Sequence, residues 1–151
     1  MINKNLAEAR RWFDQAMHDL AVARWDFQGE FWSDVCYLCQ QASEKVLKAF
    51  LYSTGARRFV GHSLLALSKR CARHDKAFND VARACRRLDR CYLSARYPNG
   101  VPSGIPGDYF DKDDAEEALV YAESIIALVR SKVAFAKEKA RLDGRETPLP
   151  L

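Results

Sequence analysis

The segment "FWSDVCYLCQQASEKVLKAFLYS", residues 31–53, decides the fold class. Its apolar residues recur at steps of three and four, which is the spacing of one face of an α-helix. They are Val35, Cys39, Ala42, Val46 and Ala49. Gly55 follows the segment, and glycine is common just past the end of a helix. The pattern therefore predicts a helix over residues 31–53 with one buried face.

The same periodicity extends outward in both directions along the chain. It predicts four further helices, over residues 5–28, 62–73, 75–95 and 112–140. No window alternates apolar and polar residues over the length of a strand. Because most connections are short, neighbouring helices should run antiparallel. We expect an all-α, up-and-down bundle of about five helices, with a single domain over residues 1–141 and a loose tail over residues 142–151.

Composition and length narrow the class of protein. A chain of 151 residues fits one domain with a sizeable core. It has no run of about 18 apolar residues, so we predict no membrane-spanning helix. The N-terminus lacks the apolar centre of a signal peptide, which predicts a cytoplasmic protein. The net charge of +4 permits an anionic ligand without requiring nucleic acid.

The five cysteines are odd in number and fall within predicted helices. Without a signal peptide they are expected to be reduced and to pack as small apolar residues. Cys36 and Cys39 form a CxxC pair, but no second CxxC and no histidine pair accompanies it. A structural zinc site needs four ligands. We therefore predict no metal site and no cofactor.

An arginine-rich segment, "VARACRRLDRCYLSAR", covers residues 81–96. At helical spacing it places four arginines on one face, opposite an apolar stripe: Arg83, Arg86, Arg87 and Arg90. One interpretation is a solvated face that pairs with the acidic start of the last helix. The other is a surface that binds phosphate, because guanidinium groups match phosphate in a bidentate way.

The arginine face leads into an irregular loop within "CYLSARYPNGVPSGIPGDYF", residues 91–110. Three of the five prolines lie here, and proline and glycine should end the fourth helix. Arg96, Tyr97 and Tyr109 lie at the edges of the loop. We predict that Arg96, helped by Arg87 and Arg90, binds a phosphate while Tyr97 or Tyr109 packs on the attached base. The structural alternative is that Arg96 holds the corner by bonding to carbonyls at the helix end.

His62 is a second candidate, because it opens the predicted third helix in "RRFVGHSLLAL". The structural interpretation is that its imidazole caps that helix or packs the corner. A functional interpretation needs a basic partner, and Arg57 and Arg58 are close in sequence.

Five segments in this order resemble the HEPN domain over about residues 6–133. They are "WFDQAMHDLAVAR", "DVCYLCQQASEKVLKAFLYSTGA", "GHSLLALS", "ARYP" and "AEEALVYAESII". The resemblance implies a bundle of up-and-down helices that pairs as a dimer. It also implies association with a minimal nucleotidyltransferase, in two-component or toxin–antitoxin arrangements. One branch of the family binds nucleotides or its partner, and the other cleaves RNA through an Arg-x4–6-His motif.

The chain departs from that cleavage motif. If Arg96 were the motif arginine, histidine should fall at 101–103, where the chain has Val101, Pro102 and Ser103. Arg57 and His62 have the x4 spacing, but they precede the third helix, where the motif is not expected. Histidine is the natural group to move a 2′-hydroxyl proton near neutral pH. We therefore favour a non-catalytic nucleotide-binding or partner-binding module that acts with a nucleotidyltransferase, with a ribonuclease toxin that uses Arg57 and His62 as the alternative.

Large aromatic residues also predict self-association. Trp12, Trp25, Phe31 and Trp32 exceed what one inner stripe per helix requires. Large aromatics left over after packing are typical of an interface. Together with the resemblance, they predict a homodimer.

Overall fold

The computed structural model describes residues 4–59 and 61–135, and within these ranges the chain is helical and contains no strand. This confirms the all-α bundle. The predicted tail over residues 142–151 lies outside the described residues. The helices are α1 (Lys4–Gln28), α2 (Trp32–Ser53), α3 (Leu64–Ala72), α4 (Ala82–Asp89), α5 (Cys91–Ser94) and α6 (Lys112–Lys132).

Helix α2 is the centre of the bundle. It packs along α1 on one side and α6 on another, and it also contacts α3, α4 and α5. Such a helix must be apolar on more than one face, and α2 buries residues around most of its circumference, including Val35, Cys39, Val46 and Leu47. No helix in the described part of the chain is both long enough and apolar enough to span a bilayer.

Helix α3 begins two residues later than predicted. Ser63, not His62, is its N-cap, and the Ser63 hydroxyl accepts a hydrogen bond from the Ala66 N–H at 3.2 Å. The Asp89 carboxylate, at the end of α4, accepts from the N–H groups of Leu64 and Leu65 at 2.8 and 3.1 Å. Two side chains thus satisfy the free N–H groups at the start of α3.

The single helix predicted over residues 75–95 is wrong, because this segment is broken into three pieces. Asp75 accepts a hydrogen bond from the Ala77 N–H at 2.9 Å and starts a 3₁₀ turn over Lys76–Val81. Helix α4 then ends at Asp89, whose side chain is bonded to α3. Helix α5 follows after the single residue Arg90.

The last helix is shorter than the predicted range of 112–140. It ends at Lys132, because Val133 is extended, with φ −113° and ψ 131°. The turn is anchored to α1, where the Phe135 ring packs on Phe13 at 4.6 Å and the Phe135 carbonyl accepts from Arg10 at 3.1 Å. Residues 136–140 lie outside the described residues.

The loop between α5 and α6 contains two short 3₁₀ turns, each with proline near its start, at Pro98–Gly100 and Pro106–Asp108. The first turn lies against the end of α5. A Cβ atom on Gly100 would come within 2.7 Å of the Leu93 carbonyl oxygen, so only glycine fits this approach. The second turn is closed by the Asp108 carboxylate, which accepts from the Ile105 N–H at 3.0 Å.

Candidate functional site

Arg96 is held between two tyrosines just after α5. The turn that carries it is closed by hydrogen bonds from the N–H groups of Arg96 and Tyr97 to the Leu93 carbonyl, at 3.1 and 3.0 Å. Its Nη1 donates to the Tyr37 hydroxyl oxygen at 2.7 Å. Its guanidinium carbon lies 4.8 Å from the Tyr37 ring centroid and 5.0 Å from that of Tyr97. These contacts fix the guanidinium in one position.

The charge of this guanidinium is not neutralised. Arg96 is exposed, and among the residues that the structure describes it forms no ion pair. The pKa of Tyr37 is raised, mainly because its hydroxyl is partly buried, although Arg96 opposes the shift. Tyr37 therefore stays neutral at physiological pH and leaves the positive charge of Arg96 available to an anion.

The two predicted ring partners are placed differently. Tyr97 lies directly against the Arg96 guanidinium. Tyr109 is exposed, and its hydroxyl lies 3.0 Å from the Ser103 hydroxyl within the same loop. The structure thus brings Tyr97 into contact with Arg96. Tyr109 instead forms a hydrogen bond with Ser103.

Arg87 and Arg90 face the last helix. Arg87 donates through Nη2 and Nε to Glu117 Oε1, at 3.1 and 3.3 Å. The pKa of the Glu117 carboxyl is lowered, first by a hydrogen bond from the Tyr121 hydroxyl and also by Arg87. Both arginines line a cavity of about 200 Å³ that includes Asp114 and Glu117 of α6. Arg87 thus makes the pairing with the acidic helix start that was the alternative to phosphate binding.

His62 is oriented by a buried carboxylate. Its Nδ1 lies 2.9 Å from Glu44 Oε1, and the other oxygen of Glu44 accepts from Lys48 Nζ at 3.1 Å. The His62 ring stacks on Tyr92, with centroids 5.0 Å apart and planes inclined by 22°. Gln40 donates to the His62 carbonyl at 3.0 Å. Because the side chain is 56% exposed, His62 presents part of its ring to solvent.

Arg57 does not join His62. It is exposed, and within residues 4–59 and 61–135 it forms no side-chain hydrogen bond or ion pair. His62 instead shares a face of α2 with Arg96: Tyr37 and Glu44 are two turns apart on that helix, and Tyr92 precedes Arg96 by one turn. Arg96 and His62 therefore lie at two ends of one polar surface, which we call the Arg96–His62 face.

Comparison with known proteins identifies the family of this fold. Residues 9–132 match the family model described as the HEPN domain. The chain belongs to the HEPN family. In this HEPN chain, the matched range contains every helix except the first turns of α1, and it contains both ends of the Arg96–His62 face.

Individual relatives support the same assignment. The chain is 27% identical over 144 residues to "Putative toxin MJ1304" of Methanocaldococcus jannaschii, covering 89% of this chain and 92% of that protein. Among solved structures it is similar to TT1696 from Thermus thermophilus, with 33% identity and a TM-score of 0.78. It is also similar to ST0689, described as an archaeal HEPN homologue, with 29% identity and a TM-score of 0.70. Each structural match covers 83% of this chain and 98% of the other.

The cysteines of the HEPN chain are structural. All five are free and buried, and burial raises the pKa of the Cys71 and Cys85 thiols to about 12. Thiols in such surroundings are largely unreactive at neutral pH. In the described ranges, no group of three or more histidine, cysteine or acidic side chains is arranged to hold a metal ion.

Proposed function

We propose that this HEPN chain is a non-catalytic nucleotide-binding or partner-binding module that acts with a minimal nucleotidyltransferase in a toxin–antitoxin pair. The observation that carries the proposal is the fixed, exposed guanidinium of Arg96, which two tyrosine rings hold in place and which the described carboxylates leave unpaired. A cation fixed in advance binds an anion at a lower entropic cost than a mobile one. Its planar fork matches a phosphate group.

The toxin–antitoxin setting is supported by the name of the Methanocaldococcus jannaschii relative, which describes that protein as a toxin. The nucleotidyltransferase partner follows from the arrangement that the HEPN resemblance implies. In this setting the nucleotide is the ligand that would connect the two proteins. We place the pair in the cytoplasm.

We also propose that the chain is a homodimer, on the most exposed of the four aromatics that suggested it. Trp25 is 74% exposed and Phe31 is 59% exposed. The other two are used inside the bundle, because Trp12 packs on Tyr52 at 5.5 Å and Trp32 packs on Phe27 at 5.0 Å. An interface built on Trp25 would cover the most exposed aromatic side chain of the described residues.

Two measurements test the nucleotidyltransferase partner and the homodimer. On purification from the native host, we expect a nucleotidyltransferase-family protein to co-purify with the tagged chain and to be identified by mass spectrometry. Light scattering of the chain alone should give about twice its mass of 17.2 kDa. A preparation that contains no such protein contradicts the partner. A mass near 17 kDa at micromolar concentration contradicts the dimer.

A second function, RNA cleavage, is favoured by one specific observation. His62 is hydrogen-bonded to the buried Glu44 and lies on the same face as Arg96. A carboxylate that orients one ring nitrogen leaves the other free to exchange protons, as a general base requires. Arg96 could then stabilise the phosphate on which charge develops. In this version of the ribonuclease, Glu44 and Arg96 take the place of the predicted partner Arg57.

Expression without its partner distinguishes the two functions. If the chain cleaves RNA, growth should stop on expression and recover with His62→Ala, because the proton-transfer group is gone. General acid–base groups contribute about 10²- to 10⁴-fold to rate, so RNA fragments should fall by a similar factor. His18→Ala is a matched control, since His18 lies on α1 away from this face. Unhindered growth on expression of the wild-type chain would contradict RNA cleavage, and binding would then be the only proposed function that stands.

A further inference from the structure

A cavity of about 320 Å³ borders Arg96 on the side of the turn between α1 and α2. Its other lining residues include Phe31, Asp34 and Ile105. This volume lies at the small end of the range for ligand pockets, which is about 300–1,000 Å³. The cavity therefore has room for a base or a mononucleotide but not for a folded segment of another macromolecule.

The turn between α1 and α2 forms one wall of the cavity, and it exposes the aromatic ring of Phe31. Glu30 has a φ of 63°, which is uncommon for a residue other than glycine, and such strained residues cluster at functional sites. The Phe31 ring packs so tightly on Gly29 that a Cβ atom there would lie 2.8 Å from it. Even so, the ring is 59% exposed. Phe31 is thus fixed in position with much of its surface uncovered.

A second part of the lining is also apolar and exposed. Ile105 lies in the Pro/Gly loop and is 58% exposed. A flat aromatic ligand between Phe31 and Ile105 would cover both residues. The ring of Tyr97 is less available for this purpose, because one of its faces already carries the Arg96 guanidinium.

The carboxylate of Asp34, which lines the cavity, suits one kind of base. Asp34 is exposed in the first turn of α2, and an ionised carboxylate can only accept hydrogen bonds. Guanine presents two adjacent donors, the N1–H and the 2-amino group, which match a carboxylate in a bidentate way. Adenine presents its 6-amino group beside an acceptor, which a carboxylate disfavours.

We propose that this cavity binds the base of a guanine nucleotide, stacked between Phe31 and Ile105, with Asp34 reading its donor edge and Arg96 binding the phosphate. The inference rests on the proposed function, because it uses the same arginine. It goes further by naming the base and its location. The small volume favours a free nucleotide over guanine within RNA.

Calorimetric titration of the full chain with GMP, IMP, AMP and ribose 5-phosphate tests the assignment. We expect GMP to bind about tenfold or more tightly than AMP or ribose 5-phosphate. IMP, which lacks the 2-amino group, should be intermediate. Tryptophan fluorescence of the chain should change with GMP but not with ribose 5-phosphate, because Trp32 also lines the cavity.

Matched variants separate base recognition from general effects. Asp34→Asn should remove the preference for GMP, whereas Asp113→Asn, an exposed aspartate in the first turn of α6, should retain it. Phe31→Leu should weaken GMP binding, whereas Trp25→Leu, an exposed aromatic that does not line the cavity, should not. Circular dichroism confirms that each variant is folded.

Three results would overturn the inference. Each differs from the result that would contradict the proposed function. Equal affinity for GMP and ribose 5-phosphate would show that the base does not use the cavity, while phosphate binding stands. Equal affinity for GMP and AMP would remove the choice of guanine. Tighter binding of a guanine-containing tetranucleotide than of GMP would assign the site to RNA. If none of these compounds binds, the nucleotide-binding function itself is wrong.

Discussion

Arg96→Ala is expected to weaken nucleotide binding about ten- to a hundredfold without unfolding the protein. A hydrogen bond to a charged group contributes about 1.5–3 kcal/mol, and each 1.4 kcal/mol corresponds to about a factor of ten in affinity. The loss should be near the upper end, because the guanidinium is held by Tyr37 and Tyr97 before the ligand arrives. Calorimetric titration of wild type and variant with the same nucleotide measures it.

Arg96→Lys is the informative companion variant. Lysine keeps the positive charge but loses both the planar fork and the stacking on tyrosine rings. We expect an affinity between those of wild type and Arg96→Ala. Arg90→Ala removes an exposed arginine that lines a different cavity, so it measures the general effect of net charge. An Arg90→Ala loss as large as that of Arg96→Ala would show that the whole arginine face binds the anion.

A structural role for Arg96 predicts a different set of results. If Arg96 only holds the corner, Arg96→Ala should lower the free energy of unfolding. Tyr37→Phe should reproduce part of that loss, because it removes the hydrogen bond to Arg96. Equal affinity of wild type and Arg96→Ala for every nucleotide tested would contradict the binding role. Urea unfolding followed by circular dichroism separates these cases.

The helices were predictable where their apolar periodicity is long and regular. The pattern Val35, Cys39, Ala42, Val46 and Ala49 places α2 correctly because each of these residues is buried. The break between α4 and α5 was not predictable, because apolar spacing continues through it from Cys85 to Tyr92. It depends on Asp89, whose carboxylate bonds to α3 more than twenty residues away. A contact of that kind leaves no mark on local periodicity.

The candidate site was only partly predictable for the same reason. Arg96 and Tyr97 are neighbours in sequence beside a loop, so the segment itself suggested them. Tyr37 is 59 residues from Arg96, and Glu44 is 18 residues from His62. Both lie on α2, where a polar residue among apolar ones is ordinarily taken as a solvent-facing position. The polar residues of α2 that have partners can be recognised only from the packing. Helix α5 and the residues before α3 both pack against α2.

Replacement of Glu44 should cost much of the stability of the fold. Its side chain is only 6% exposed and accepts hydrogen bonds from Lys48 Nζ, at 3.1 Å, and His62 Nδ1, at 2.9 Å. The Lys48 side chain is itself only 8% exposed. Glu44→Ala leaves that ammonium buried without its carboxylate, although it lies 5.6 Å from the Trp12 ring. Removing one partner of a buried ion pair costs about 3–5 kcal/mol.

Urea unfolding of Glu44→Ala should show this loss directly, and two further variants identify its cause. Glu123→Ala breaks the exposed pair with Arg24 and should cost no more than about 1 kcal/mol. The double variant Glu44→Leu/Lys48→Met replaces the buried pair by apolar side chains and should recover most of the stability, because no charge is then left buried. A Glu44→Ala loss as small as that of Glu123→Ala would mean that Lys48 reaches water. A double variant as unstable as Glu44→Ala would trace the loss to His62, whose side chain is hydrogen-bonded to α2 through the same carboxylate.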